Sequence, residues 1–215
     1  MDVVDICVIT YKRPQGLDSL LKSLQKLSFE KNRHVDIEVL VIDNDLQQSA
    51  KEVVETFERE SSWPVRYFVE SRRGIPYARN AALDRARAQA TFVAFVDDDE
   101  EVEPRWLDEL LHVQKQTKAG VVTGPVIPVF DGDAPKWATN GKFFERERFE
   151  DGAPVAYART GNVLIVESVF RKSGVRFDES KALTGGSDAV FFAVAKSIGH
   201  ELVWADKAGV REVQP

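Results

Sequence analysis

The sequence is poor in residues that support disulfide or zinc chemistry. Its 215 residues include one cysteine, Cys7, and three histidines, at positions 34, 112 and 200, whose spacing is not that of metal ligands. A single cysteine excludes an internal disulfide, which suits a reducing compartment. Because Cys7 lies in an apolar run, we expect it to be a buried core thiol.

The chain also lacks a long apolar run and an excess of basic residues. No apolar stretch approaches the roughly 18 residues of a membrane span, and the start, MDVVDICVIT, has no basic segment before an apolar one. The net charge of -6 disfavours a general nucleic-acid binder, since phosphate backbones are bound by basic surfaces. These absences predict a cytoplasmic protein without a nucleic-acid partner.

What is present is an alternation of strand and helix patterns. Short apolar runs rich in β-branched residues predict strands at 5–10, 37–42, 65–69 and 92–96. Apolar residues at helical spacing follow the runs, at 17–27, 51–60, 76–86 and 104–111, where Pro76 and Pro104 suit a helix start. The alternation predicts an α/β fold, a single domain over residues 1–215 with a mostly parallel sheet and helices on both faces.

The second part of the chain is less regular. Residues 121–126, 160–166 and 202–205 read as strands, and 187–198 as a helix after Gly185 and Gly186. Residues 128–159 have turn signals but no sustained period, which predicts a long excursion over the sheet. The aromatic residues there fit a small hydrophobic cluster and a sugar platform equally well: Trp137, Phe143, Phe144 and Phe149.

Polar side chains follow the predicted strands where each strand ends. They are Thr10, Tyr11, Lys12 and Arg13 after the first, Asp43 to Asp45 after the second and Asp97 to Asp99 after the fourth. Ligands of open parallel sheets bind outside the carboxyl ends of the strands, so these residues are expected to share one site. In an extended segment Asp97 and Asp99 would point to the same side, and Mg²⁺ or Mn²⁺ suits one or two carboxylates plus substrate phosphates.

A basic group is expected at the same edge. Arg79 lies in the first turn of the predicted helix and follows Arg72 and Arg73 in the preceding loop. A helix N-terminus together with a guanidinium group can bind an anion.

Plainer interpretations stay open for several of these residues. The acids from Asp97 onward could be a solvated lead-in to the next helix, as Glu100, Glu101 and Glu103 in particular suggest. Asp43 could only initiate a turn, and Arg72 and Arg73 could be surface charges. Asp188 could cap the helix that follows the two glycines.

The sequence resembles the family 2 glycosyltransferases, inverting enzymes with the GT-A fold. Five segments carry the resemblance in the family's order: VITYKRP (8–14), VIDND (41–45), GIPYARNAAL (74–83), FVDDD (95–99) and TGGSDAVFF (184–192). The resemblance implies a nucleotide-sugar donor, most commonly a UDP-sugar, and a metal-dependent transfer to a hydroxyl group.

The resemblance also implies roles for individual residues. The donor-binding set is Thr10, Tyr11, Arg13, Asp43, Arg79, Asp97 and Asp98. Asp99, with Asp97, would hold Mn²⁺ or Mg²⁺, and Asp188 would be the catalytic base. Ser187 departs from the family pattern, in which an acid is common at that position.

By the same resemblance the acceptor is a glycan or a lipid-linked saccharide in bacterial polysaccharide assembly, with peripheral association at the inner face of the cell membrane. Residues 1–127 would form the nucleotide-sugar half and 128–215 the acceptor half. Glu212 lies where the family often supplies another residue on the metal side. Because family members commonly continue further, the acceptor half is expected to be shortened at its C-terminal end.

Two other functions remain from the residues themselves. A sugar-phosphate nucleotidyltransferase would use a divalent metal ion in the same way to join a sugar phosphate to a nucleotide. No glycine-rich phosphate loop follows the first strand, which disfavours this alternative. The second alternative is a non-catalytic module that binds a sugar nucleotide.

Overall fold

A computed structural model describes residues 1–130, 147–182 and 184–214. The strands are β1 (Asp2–Thr10), β2 (Val35–Asp43), β3 (Val65–Val69), β4 (Phe92–Asp97), β5 (Glu100–Val102), β6 (Val121–Thr123), β7 (Val126–Phe130), β8 (Val163–Val166), β9 (Leu202–Trp204) and β10 (Val210–Gln214). The α-helices are α1 (Pro14–Leu24), α2 (Lys51–Glu60), α3 (Ile75–Arg85), α4 (Trp106–Thr117) and α5 (Ser187–Ser197). A π-helical turn at Ser168–Lys172 and a 3₁₀ turn at Glu179–Lys181 lie between β8 and α5.

The seven-stranded central sheet has the order β3-β2-β1-β4-β8-β6-β9. Its neighbours are parallel except at β8, which runs antiparallel to both β4 and β6. The predicted α/β fold with a mostly parallel sheet is therefore confirmed.

The strand alternation determines which helices cover which face. Ile6 and Val8 of β1 pack in the core that contains α1, α2 and α4, whereas Cys7 between them packs with α3 and α5. All three side chains are fully buried, as expected for a strand covered on both faces. The prediction of Cys7 as a core thiol is confirmed, and burial raises the pKa of that thiol well above its usual value.

The prediction of one continuous strand at 121–126 is wrong in its continuity, because two strands of different sheets begin in this range. β6 ends at Thr123, and β7 begins at Val126 in a small sheet of order β5-β10-β7. Gly124 lies between them and packs so closely that an added Cβ would be 2.6 Å from the Ala208 carbonyl oxygen. Pro125 has no N–H to donate to a ladder, so the chain changes sheets here.

The predicted strand at 160–166 is shorter than expected. It begins only at Val163, because Asn162 uses its side-chain amide to donate to the carbonyl oxygens of Pro125 and Ala208, at 3.0 and 2.7 Å.

Of the aromatic residues in the predicted excursion, Phe149 packs edge-on against Trp204, with ring centroids 5.6 Å apart. Trp137, Phe143 and Phe144 lie outside the described residues.

Within the described ranges, none of the helices is both long enough and apolar enough to cross a lipid bilayer.

Candidate functional site

A cavity of about 630 Å³ lies at the carboxyl edge of the central sheet, where β1, β2 and β4 end. Its described lining is Ile9, Thr10, Tyr11, Arg13, Asn44, Arg73, Gly74, Ile75, Arg79, Asp97, Asp98, Asp99, Ala182 and Glu212. The predicted convergence of polar strand ends therefore occurs, and the cavity has the size of ordinary small-ligand sites.

The three aspartates form a turn that is fixed from two sides. Below it, Gly16 of α1 packs so closely that an added Cβ would lie 2.6 Å from the Asp98 carbonyl oxygen. Above it, Arg13 donates from one guanidinium nitrogen to Asp98, at 3.2 Å, and to Asp99, at 2.6 Å. Asp98 is buried by these contacts, while the side chains of Asp97 and Asp99 keep 47% and 44% of their surface accessible.

Negative charge is concentrated in this turn. The pKa of Asp97 is raised to about 6, mainly by burial; Arg79 opposes this rise, and the negative charges of Asp99, Asp98 and Asp188 contribute to it. Burial also raises the pKa of Asp98. The turn in its ligand-free form is therefore electrostatically unfavourable, and a cation bound to it would relieve that repulsion.

One pair of polar atoms under the cavity floor is incompletely satisfied. The Thr10 hydroxyl lies close enough to Asp98 to lower its pKa. Within the described structure, however, neither Thr10 Oγ1 nor Asp98 Oδ2 makes a hydrogen bond of ordinary geometry, although both atoms are buried. Unpaired buried polar atoms are uncommon and are found preferentially at functional sites.

Glu100 corrects one expectation. The sequence suggests a solvated acid, but the residue is only 4% exposed and its carboxylate accepts the Asp97 N–H at 2.9 Å. Burial raises the pKa of Glu100 well above its usual value, and Asp97, Asp99 and Glu212 add to the effect. Glu100 therefore supports the aspartate turn from below, a role that a run of acids in the sequence does not reveal.

The donor atoms in the cavity fit a hard divalent cation. Asp97 and Asp99 offer carboxylate oxygens from one short turn, which is the ligand chemistry of Mg²⁺ and Mn²⁺. In the described part of the chain, no group of three or more His, Cys, Asp or Glu side chains could by itself hold a metal ion. A cation at Asp97 and Asp99 would therefore need further oxygens from a ligand or from water.

Arg79 brings a buried positive charge to the opposite wall. It is 8% exposed and lies over the Phe177 ring, 5.5 Å from the ring centroid, where burial lowers the pKa of its guanidinium group. Its polar contacts are long, 3.9 Å to Asp97 and 3.4 Å to the Ser187 hydroxyl. Members of the resembled family commonly have an acid at this position of α5. Because this chain has Ser187 there, α5 gives Arg79 no close ionic partner.

The two arginines before α3 separate into different roles. Arg72 pairs with Glu70 at 3.1 Å and with Glu179 at 3.5 Å, so it connects the loop before α3 with the 3₁₀ turn. Arg73 instead lies over the Tyr11 ring, 5.0 Å from its centroid, and lines the cavity.

Asp43 does not reach the cavity wall. Its carboxylate is fully buried and accepts from the Asp45 and Ala50 N–H groups, at 2.9 and 3.0 Å, and from the Tyr67 hydroxyl, at 2.7 Å. These contacts hold the turn after β2 from beneath. A direct contact of Asp43 with a donor stays a prediction, which would require these bonds to rearrange.

Asn44, which belongs to the predicted polar strand end after β2 but was given no role of its own, lies in the cavity wall instead. Its amide donates to the carbonyl oxygens of Glu70 and Arg72, both at 2.8 Å, and its carbonyl accepts the Gly74 N–H at 2.8 Å. Gly74 has φ +142°, and an added Cβ would be 2.8 Å from that of Ala182. Asn44 therefore shapes the loop that leads into Arg79's helix.

Asp188 lies in the first turn of α5 and is partly exposed. Gly186 is the N-cap of that helix, and Asp188 accepts only from its neighbour, the Ala189 N–H, at 3.0 Å among the described hydrogen bonds. Asp188 is not among the described residues that line the cavity. Its negative charge nevertheless contributes to the raised pKa of Asp97 and offsets part of the lowering of the Arg79 pKa by burial.

Comparison with known proteins identifies the family of the chain. Residues 5–174 match the family described as glycosyl transferase family 2. The chain belongs to this family. It is 32% identical, over 212 residues, to the succinoglycan biosynthesis protein ExoM of Rhizobium meliloti (strain 1021), and 21% identical over 213 residues to the glycosyltransferase AglE of Haloferax volcanii. Each alignment covers 99% of this chain and 67% of the relative.

Solved structures share the fold. The S. aureus TarS 1-349 complex with UDP-GlcNAc matches with a TM-score of 0.76 at 20% identity, covering 100% of this chain and 59% of that one. The mannosyltransferase PcManGT from Pyrobaculum calidifontis, in complex with GDP-Man and Mn²⁺, has a TM-score of 0.74 at 16% identity, covering 99% and 57%. The chain is thus a glycosyltransferase domain of the GT-A type that spans less than two-thirds of these solved chains.

Proposed function

We propose that this family 2 domain transfers a sugar from a nucleotide-sugar, with a UDP-sugar as the donor, to a hydroxyl group of a glycan or lipid-linked saccharide, with inversion and with a divalent metal ion. One observation carries the proposal. The carboxylates of Asp97 and Asp99 and the guanidinium groups of Arg73 and Arg79 line one cavity at the carboxyl edge of the sheet.

The cavity's chemistry suits a nucleoside diphosphate. Tyr11 and Arg73 supply a flat, partly cationic surface for a nucleobase, and Arg79 supplies a buried charge for a phosphate. Thr10, Arg13 and Asp98 lie along the same wall. The UDP-GlcNAc complex of TarS supports a uridine nucleotide for this chain, although GDP-Man is the ligand of the PcManGT complex.

A metal ion is part of the proposal. Asp99, with Asp97, would hold Mn²⁺ or Mg²⁺, and such an ion supplies Lewis-acid neutralisation of a diphosphate leaving group. The raised pKa of Asp97 supports this assignment, because a site of crowded carboxylates gains free energy when a cation binds.

Asp188 is the proposed general base. The acceptor oxygen attacks the anomeric carbon and forms a new glycosidic bond while the bond from that carbon to the diphosphate oxygen breaks. The acceptor's proton passes to the Asp188 carboxylate, and the nucleoside diphosphate leaves. Asp188 suits this role because it belongs to a different element than the aspartate turn yet remains electrostatically coupled to Asp97.

The name of one relative bears on the acceptor. ExoM is a succinoglycan biosynthesis protein, which supports a role in polysaccharide assembly for this chain. Residues 128–215 as the acceptor half and a location at the inner face of the membrane complete the proposal.

Nucleotide-sugar hydrolysis and binding assays test the proposal. We expect Mn²⁺-dependent binding of UDP, donor hydrolysis with UDP-sugar, and loss of both in Asp99→Ala. Turnover of sugar phosphate plus UTP instead would support a nucleotidyltransferase. Metal-dependent UDP binding with neither hydrolysis nor transfer would support a non-catalytic module.

A further inference from the structure

A second cavity, of about 270 Å³, is lined in part by the loop that precedes β8. Its described lining includes Thr123, Glu147, Tyr157, Arg159 and Trp204. The volume is just below the range of about 300 to 1,000 Å³ usual for small-ligand sites, so it suits one sugar ring better than a nucleotide. None of the residues assigned to the donor lines it.

This cavity adjoins the aspartate turn through the chain itself. Arg159 lines the cavity, and Gly161, two residues later, packs so closely on the turn that an added Cβ would be 3.2 Å from Asp97 Oδ2. Two residues span at most about 7 Å between Cα atoms. The second cavity is therefore built on the same short segment that packs against the aspartate turn.

The back wall of the second cavity is rigid. Asn162 is 1% exposed; its carbonyl side-chain oxygen accepts from the Trp106 indole N–H at 2.8 Å, and its backbone oxygen accepts from the Thr123 hydroxyl at 2.7 Å. Its amide also donates to two backbone carbonyls, so every polar group of the side chain is engaged. A satisfied buried network of this kind preorganises the cavity that it supports.

The front of the cavity is formed by an exposed aromatic ring and two charged side chains. Tyr157 is 54% exposed, and Arg159 lies over one part of its ring, 5.9 Å from the centroid. Within the described residues, neither the Arg159 guanidinium nor the Glu147 carboxylate makes a hydrogen bond or an ion pair. An exposed aromatic ring with a hydrogen-bond donor group and an acceptor group beside it is suited to the CH face and the hydroxyl groups of a sugar.

The charges of the lining side chains favour a neutral ligand over an anionic one. Among the described lining residues, one side chain is positive and one is negative, so their charges cancel. An anionic ligand would meet Glu147 as well as Arg159, whereas a neutral ring can hydrogen-bond with both.

We infer that this second cavity binds a neutral sugar ring of the acceptor, next to the site where the donor reacts. The assignment of the ring to an acceptor rests on the proposed function. Tyr157 then provides the stacking face, and Arg159 and Glu147 hold the ring hydroxyls beside the segment that packs on the aspartate turn.

Saturation-transfer NMR titrations test the inference without any turnover. The probes are methyl β-glucoside, methyl β-galactoside, methyl N-acetyl-β-glucosaminide and, for charge, methyl β-glucuronide. We expect the whole chain to bind at least one neutral probe more tightly than the glucuronide. Tyr157→Ala and Arg159→Ala should each raise the Kd of that probe by up to about tenfold, with UDP affinity unchanged.

Two variants serve as matched controls. Tyr157→Phe retains the ring and should bind the neutral probe nearly as well as wild type. Arg59→Ala removes an exposed arginine from α2, at the opposite end of the sheet, and should leave the Kd unchanged.

The inference is overturned if no neutral probe binds, if the glucuronide binds more tightly, or if both alanine variants keep the wild-type Kd. Failure of the proposed function is distinguishable, because it would appear as absent UDP binding and donor hydrolysis in the wild-type chain, whatever the glycoside titrations give.

Discussion

Replacing Asp97 by asparagine tests the electrostatics of the donor cavity directly. In the folded chain the pKa of Asp97 is raised from its ordinary value of 3.8 to about 6, mainly by burial. A shift of about two pH units corresponds to at most about 3 kcal/mol, at about 1.4 kcal/mol per unit. Because the side chain is 47% exposed, solvent screens much of this effect, and we expect a stabilisation of about 1 kcal/mol.

The contribution of the Asp97 side chain to the stability of the folded chain depends on pH. Since the folded-state pKa of Asp97 lies above the unfolded value, the folded chain binds the proton more tightly, and its stability falls as pH rises from about 4 to about 6. Near pH 4 the protonated side chain resembles asparagine, so the variant gains little. Above pH 6 the wild-type chain contains the unfavourable charge and the variant does not, so the variant is the more stable protein.

Thermal unfolding in EDTA at pH 4 and pH 8 measures the effect. A stabilisation of about 1 kcal/mol raises the Tm by about 2 to 4 °C in a domain of this size, and we expect this gain at pH 8 only. Asp84→Asn is the control, because Asp84 is an exposed carboxylate paired with Arg176 at 3.4 Å; its removal should not raise the Tm. Equal gains of Asp97→Asn at both pH values, or a loss at pH 8, would refute the reasoning.

The same variant should lose ligand stabilisation. With Mn²⁺ and UDP at one hundred times the dissociation constant, wild type should gain about 2.7 kcal/mol. Asp97→Asn should gain much less, so the substitution that stabilises the free protein weakens the complex.

Three further substitutions test other parts of the site. Asp188→Asn should lower kcat about 10²- to 10⁴-fold with unchanged UDP affinity, and a kcat equal to wild type would remove the assignment as base. Gly161→Ala should lower the free energy of unfolding by about 1 to 3 kcal/mol, because the new Cβ would lie 2.6 Å from Oε1 of the buried Glu100. Calorimetry measures this change, and an unchanged unfolding free energy would show that Glu100 moves freely. Asn44→Ala removes three hydrogen bonds from the loop that ends at Gly74, so we expect weaker UDP binding in titration calorimetry, with unaltered affinity contradicting the role of the loop.

Sequence patterns predict the central sheet well because its strands repeat a simple physical rule. Ile6 and Val8 face one set of helices and Cys7 the other, so a continuous apolar run indicates a strand covered twice. The small sheet of β5, β10 and β7 is not predicted, because its strands do not all show such an apolar run. β5 has three residues, too few to show a period, and two of them are glutamates.

The sequence predicts where the site residues lie in the fold better than it predicts which groups they contact. Placing Thr10, Arg79 and Asp97 at one edge needs only the ends of elements, which the pattern locates. Whether an acid faces the cavity or the interior depends on tertiary neighbours. Asp43 and Glu100 are buried against backbone N–H groups, and Asn162 gains its importance from partners far along the chain.

The pairing of β10 with β5 has a consequence for how the protein is made. Glu212 lies opposite Glu100, directly after the aspartate turn, so residues more than a hundred positions apart lie side by side. On the ribosome, which adds about 5 to 20 residues per second, strands β1 to β4 can pair while β10 is still unsynthesised. A nascent chain would thus have these four strands of its sheet before β10 supports the acids. We therefore expect the chain to become able to bind the donor only after β10 has emerged from the ribosome.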